Sequence, residues 1–246
     1  WIATAECQEI RVALPDEQRM QYALSEEREK YRMAAENPLK VPVVRELLAR
    51  HADEQVLIIG QYLDQLKELA DLLQAPLLTG RTNNTQREKL YEQFRRGALK
   101  RLVVSKVANF AIDLPDAAVA IQVSGTFGSR QEEAQRLGRI LRPKSDGRPA
   151  HFYTIVTRDT RDQDFSANRQ LFLTEQGYRY TIADAESAGL LTDEAVLAHK
   201  NDAKPAARAN GSNGANGARG ANGSHAAKSA ANGASGKRTR APSRRS

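Results

Sequence analysis

Apolar and polar positions along the chain fall into blocks whose period changes. Val56-Leu-Ile-Ile59 is a short apolar run of the kind a buried strand uses. Leu63, Leu66, Leu69, Ala70 and Leu73 then recur at helical spacing. Pro76-Leu77-Leu78 reads as another short strand, closed by Thr79-Gly80. From Asn84 to Arg96 the pattern predicts a helix that turns Leu90 and Phe94 inward. Leu102 to Val104 and Val119 to Val123 read as strands, then a helix from about Arg130 to Leu141, a strand from Phe152 to Val156 and a late helix over 160–176. Residues 15–51 read as two lead-in helices split near Pro38 and Pro42. Strands alternating with helices argue for an α/β fold, a mostly parallel sheet flanked by helices on both faces. Alternation alone implies no function.

Composition changes this picture at one end. The 246 residues carry 37 Lys and Arg against 30 Asp and Glu, a net +7. Nine of those basic residues and one acidic residue lie after Lys200. The 28 basic and 29 acidic residues before that point give −1, so the excess positive charge belongs to the tail. Residues 201–246 contain no Val, Ile, Leu, Met, Phe, Tyr or Trp. Such a segment cannot bury enough surface to offset the entropy of ordering, and is expected to be disordered. Its basic end suits weak, nonspecific attraction to nucleic acid.

Other classes fall away. The single cysteine, Cys7, allows no intramolecular disulfide, and four scattered histidines do not give a usual zinc spacing. No apolar run reaches the roughly 18 residues of a membrane span. No signal peptide is read at the start. The chain opens on Trp1, and the expectation is a piece of a longer protein.

The chemistry concentrates in Gln135-Arg-Leu-Gly-Arg-Ile-Leu-Arg142-Pro143. On a helix with Gln135 at zero, Arg139 lies near ~40° and Arg142 near ~−20°. Ala134, Leu137 and Leu141 take the opposite side. Gly138 allows close approach beside the polar stripe, and Pro143 stops the helix just after Arg142. Guanidinium forks on one arc suit phosphate oxygens.

This string resembles motif VI of superfamily 2 helicases, nucleic-acid-dependent ATPases with two RecA-like lobes. Val103 to Pro115 resembles motif V, Val56 to Gln61 motif IV, and Thr79-Gly80-Arg81-Thr82 with Gln86-Arg87 the motif between them. The likeness tightens to the XPB helicases through Ser105-Lys-Val107, Asp113-Leu-Pro-Asp-Ala117, Gly128-Ser-Arg130, Arg169-Gln170, Phe172-Leu173 and Gln176-Gly-Tyr178. It covers roughly residues 1–186. The implied fold is a RecA-like helicase C-terminal lobe.

The phosphate-cradling loop and the acidic metal-binding pair of a whole helicase are not read here. Leu190-Leu-Thr-Asp-Glu194 superficially resembles the acidic motif, but lies after the arginine string and reads as a capped helix start. The division expected is an exit from a first lobe with linker helices over 1–40, the RecA-like domain over 41–186, a short helical extension over 187–200, and the tail over 201–246.

By resemblance, Arg142 is the arginine finger toward the ATP γ-phosphate. Arg139 makes a phosphate or coupling contact, and Gln135 orients the cluster. Asp113 and Gly138 are assigned to the nucleotide side. Gln61, Thr79, Gly80, Arg81 and Ser105 stand at strand ends, where open α/β sheets bind ligands, and are assigned to a nucleic-acid strand, with Arg87 and Lys106 adding charge. Phe110-Ala111 stands where many superfamily members carry Arg-Gly, so no arginine role transfers there. The resemblance implies ATP, with Mg2+ held by a first lobe, and a 3′-to-5′ DNA helicase or translocase. The implied partners are single-stranded or forked DNA, that first lobe, and repair or transcription proteins, without a membrane. Its place would be the cytoplasm near the nucleoid, or the nucleus in a eukaryote. A remodeller or restriction-type translocase lobe and a noncatalytic nucleic-acid-binding scaffold are the alternatives.

Overall fold

The computed structural model describes residues 5–105, 117–125 and 149–202, with side chains as far as Leu197. The helix expected from Arg130 to Leu141, most of motif V and the basic tail beyond Asp202 lie outside these residues, while Asn201 and Asp202, expected in the tail, end the last helix. The chain divides into two units, Trp1–Ala206 and Ala207–Ser246, and all described structure belongs to the first.

In chain order the described elements are β1 (Ala5–Val12), α1 (Asp16–Leu24), α2 (Glu27–Ala35), α3 (Lys40–Arg50), β2 (Val56–Gly60), α4 (Leu63–Leu73), β3 (Leu77–Leu78), α5 (Asn84–Arg95), β4 (Arg101–Ser105), β5 (Val119–Gln122), β6 (Ala150–Thr157), α6 (Arg161–Glu175), β7 (Arg179–Asp184) and α7 (Asp193–Asp202). The strands form one sheet in the order β3-β4-β2-β5-β6-β1-β7. Every pairing is parallel. Every strand therefore ends at the same edge.

The period-two alternation of the strands sorts the core into two layers. Leu57, Ile59, Leu102, Val104 and Phe152 pack on one face against Tyr91 and Phe94 of α5 and Phe172 and Leu173 of α6. Val56, Ile58, Val103, Ile121 and Ile155 pack on the other against Val44 and Leu47 of α3 and Leu66 and Leu69 of α4. Both faces are covered, which is why the central strands read as unbroken apolar runs.

The lead-in region differs from its expectation. It holds three helices, because α1 stops at Ser25, whose backbone is extended. Pro42 does not break a helix. It sits in the first turn of α3, where its missing N–H has no helical partner to lose.

Two strands, β1 and β7, were not expected from the pattern. Residues 1–40 read as lying before the sheet-bearing domain, yet Ala5–Val12 is hydrogen-bonded between β6 and β7. Its pattern is obscured by Glu9, which is buried in the core. Arg11 Nε donates to Glu9 at 2.7 Å, Tyr180 OH donates at 2.8 Å, and the Ser166 hydroxyl donates as well. Those donors compensate the buried carboxylate. The acceptor Glu9 and the burial of Tyr180 together push the Tyr180 phenol upward, burial contributing most.

Gly177 makes the turn from α6 into β7. Its φ of +82° suits glycine, and the following Tyr178 N–H donates to the Leu173 carbonyl at 3.1 Å. The extension begins with a capped helix, as read: the Thr192 hydroxyl accepts the Ala195 N–H at 3.1 Å.

Candidate functional site

Three neighbouring strands, β3, β4 and β2, deliver the described candidate residues to the common carboxyl edge. Leu78 pairs with Val104, and Gly60 with Ser105. Thr79, Ser105 and Gln61 therefore end three adjacent strands. Ser105 itself is buried, Gln61 and Thr79 are half-buried, and Gly80 and Arg81 are exposed.

The loop after β3 is held by its own polar groups. Thr79 N–H donates to the Thr82 hydroxyl at 3.0 Å, and Arg81 N–H to the Thr79 hydroxyl at 3.2 Å. Asn83 caps α5, its side chain accepting the Gln86 N–H at 2.8 Å. Arg87 occupies the inside of this loop. One guanidinium nitrogen donates to the Thr82 carbonyl at 3.0 Å and the Thr79 carbonyl at 3.3 Å, and the other to Asn84 Oδ1 at 3.3 Å. Only 6% of Arg87 is exposed. The sequence assigns it as added charge for a nucleic-acid strand. Its charge instead satisfies loop carbonyls, because one helical turn after the cap points the side chain back under the loop.

The end of β2 is tied to the end of β5. Gln61 N–H donates to Ser124 Oγ at 2.9 Å, and Ser124 Oγ donates to Gln65 Oε1 at 2.7 Å. Gln65 Nε2 then donates to the Ala35 carbonyl at 2.7 Å, reaching the end of α2. Gly60 makes this approach possible. A Cβ there would lie 2.7 Å from Leu66 Cδ2 and 3.0 Å from Ser124 Oγ.

A second group of buried polar side chains lies at the same edge. Lys40 is 1% exposed, and its ammonium donates to the Val123 carbonyl at 2.9 Å and to Asp162 Oδ2 at 2.6 Å. The same carboxylate oxygen accepts the Thr157 N–H at 3.1 Å. Thr160 caps α6 by accepting the Asp162 N–H. Asn37 donates to the Ala13 carbonyl at 2.8 Å and to Thr157 Oγ1 at 3.1 Å, joining the ends of β1 and β6. Burial pushes the Lys40 ammonium down from its ordinary value, with Asp162 opposing that shift.

The sequence reading missed Ser124, Gln65, Lys40 and Asp162. Ser124-Gly125 directly after a strand was the available signal. Lys40 carried none, since a lysine opening a helix reads as solvated. Lys106, Asp113, Gln135, Gly138, Arg139 and Arg142 lie outside the described residues. Among the described residues no three His, Cys, Asp or Glu side chains are grouped to hold a metal. No helix among them is long and apolar enough to cross a membrane.

Comparison with known proteins adds four findings. The family model described as ERCC3/RAD25/XPB C-terminal helicase matches residues 1–208. The DNA 3'-5' helicase XPB of Mycobacterium tuberculosis is 60% identical over 186 residues, covering 76% of this chain and 34% of that protein. The general transcription and DNA repair factor IIH helicase/translocase subunit XPB of Enterocytozoon bieneusi is 36% identical over 185 residues, covering 73% and 30%. The chain thus spans about a third of the length of these relatives. Among solved structures, the C-terminal domain of the DEAD-box protein Dbp5 aligns with a TM-score of 0.56 at 15% identity, covering 80% of this chain and 98% of that one. That likeness is one of fold, a RecA-like helicase C-terminal lobe.

Proposed function

Because the chain belongs to the ERCC3/RAD25/XPB C-terminal helicase family, we propose that it is the second motor lobe of an ATP-dependent 3′-to-5′ DNA helicase or translocase. In this reading the lobe does two things. It contacts one DNA strand along its carboxyl edge, and it supplies arginines to ATP held mainly by a preceding lobe.

The observation that carries the DNA half is the exposed Gly80–Arg81 turn, pinned from beneath by Arg87 and one strand removed from Gln61 at the same edge. The exposed Arg81 guanidinium beside the open Gly80 backbone suits a phosphate and carries no sequence information. Binding is therefore sequence-independent and salt-sensitive. Lys106 would add charge next to Ser105, and Arg87 acts by shaping the turn.

The ATP half rests on the arginine string. Arg142 acts as the finger, Arg139 as a phosphate or coupling contact, and Gln135 orients both. Gly138 gives room for the approach, and Asp113 meets the nucleotide or the other lobe. The acidic motif of the preceding lobe would hold Mg2+. This chain alone hydrolyses no ATP. Its setting would be intracellular and DNA-associated, with repair or transcription proteins as partners.

The test joins the chain to its first lobe and measures DNA-stimulated ATPase. Fingers act as charge spreads over the transferring phosphoryl group, and are worth about 10³–10⁵ in rate. Arg142→Ala should lower kcat far more than apparent ATP affinity. Arg142→Lys should not rescue, since lysine lacks the planar fork. Arg136→Ala, about 100° round the helix from Gln135, is the control. Near-normal kcat in Arg142→Ala with loss in Arg136→Ala would overturn the assignment.

A further inference from the structure

The buried ammonium of Lys40 stands where three separate chain segments meet. It opens α3, yet its two partners lie far along the chain, at Val123 and Asp162. A lysine with 1% exposure pays a large desolvation cost, and here two acceptors compensate it.

What the charge holds is specific. Val123 is the residue before Ser124, and Ser124 Oγ receives the Gln61 N–H. Val123 N–H also donates to the Ile59 carbonyl at 2.9 Å. Val123 is thus held through its N–H by β2 and through its carbonyl by Lys40. On the far side of the pair, Asp162 holds the Thr157 N–H where β6 ends. One ammonium sets the height of the β5 exit against both neighbouring strands.

We infer that Lys40 is a positioning residue for the Gln61–Ser124 corner, acting through the Val123 carbonyl, and that it thereby sets the DNA contact made at Gln61. This rests on the nucleic-acid reading of the carboxyl edge and deepens it. Lys40 touches no DNA in this scheme.

The experiment uses the chain with four substitutions. Lys40→Met keeps the stem and removes the charge. Asp162→Asn keeps the shape and weakens the pair, and serves if Lys40→Met does not fold. Ser124→Ala removes the acceptor directly. Glu9→Gln disturbs another buried carboxylate, bonded to Arg11, Ser166 and Tyr180, and controls for general destabilisation. Amide hydrogen exchange reads the Gln61 N–H, and fluorescence anisotropy reads binding of a labelled oligo-dT.

Lys40→Met should speed exchange at Gln61 by about tenfold, the worth of one hydrogen bond, and weaken oligo-dT binding alongside Ser124→Ala. Asp162→Asn should move both readings the same way by less. Glu9→Gln should leave both near wild type despite a lower melting temperature. The inference is overturned if Gln61 exchange in Lys40→Met or Asp162→Asn matches that in Glu9→Gln. If Gln61 exchange responds as stated but no form of the chain binds oligo-dT, the positioning role stands and the nucleic-acid reading fails.

Discussion

The Arg87 guanidinium donates to the Thr82 carbonyl at 3.0 Å from within the loop that Thr82 belongs to, so a cation shapes the turn without facing solvent. Replacing it leaves the Thr79 and Thr82 carbonyls without that donor. Arg87→Met should lower stability by about 1–3 kcal/mol, the range for unpairing buried polar groups. Urea denaturation read by circular dichroism measures it. A midpoint equal to wild type would remove Arg87 from the loop's support.

Arg81 makes the opposite case. It is exposed, and its substitution should cost no more than about 0.5 kcal/mol. Its effect should appear in binding. Arg81→Ala should weaken oligo-dT binding at low salt and flatten the plot of log affinity against log salt by about 0.7, the contribution of one phosphate contact on a single strand. An unchanged slope would place the phosphate contact elsewhere.

Gly60 permits the contact between β2 and Ser124. In Gly60→Ala the new methyl meets Leu66, which is fully buried, and Ser124. Overpacking of this kind typically costs about 1–3 kcal/mol. The loss should come with faster amide exchange at Gln61, because the methyl displaces its acceptor. Full stability together with an unchanged Gln61 amide would show that the corner has room to spare.

Cys7 gives a pH signature. Burial pushes its thiol from the ordinary 9.0 up to about 12. The folded state therefore holds a proton that the unfolded state releases. Stability from this group is complete below pH 9.0 and is lost as pH rises toward 12. The slope is at most about 1.4 kcal/mol per pH unit. Tyrosines titrate in the same range, so the test is a difference: Cys7→Ala should flatten the alkaline limb of the stability curve. Parallel curves for the two proteins between pH 9 and 11 would contradict the burial argument.

The central strands were legible because both sheet faces are covered. Val56 to Ile59 and Leu102 to Val104 are buried on either side, and nothing polar interrupts them. β1 and β7 were illegible for the converse reason. β1 carries Glu6, Gln8, Glu9 and Arg11, and β7 is an edge strand with exposed residues. The positions of the candidate residues at strand ends were legible, because polar residues follow apolar runs there. Arg87 misled because a buried arginine and a solvated one look alike in sequence. The Lys40–Asp162 pair spans 122 positions, and no local pattern encodes it.

The place of β1 in the sheet has a consequence for how the chain is made. It is the earliest described strand, but its hydrogen-bonding partners are Ala150–Thr157 and Arg179–Asp184. At a ribosomal pace of about 5–20 residues per second, Ala5–Val12 waits roughly 7–30 s for its first partner. In that interval β2, β3, β4 and β5 can already associate among themselves. The nascent sheet can therefore grow from its β3–β5 half toward β7, and its oldest strand is stitched in next to last, between two strands that have only just emerged. A stall in translation between about residues 125 and 150 would leave a half-sheet with an open edge at β5 and a free strand that has nowhere to dock.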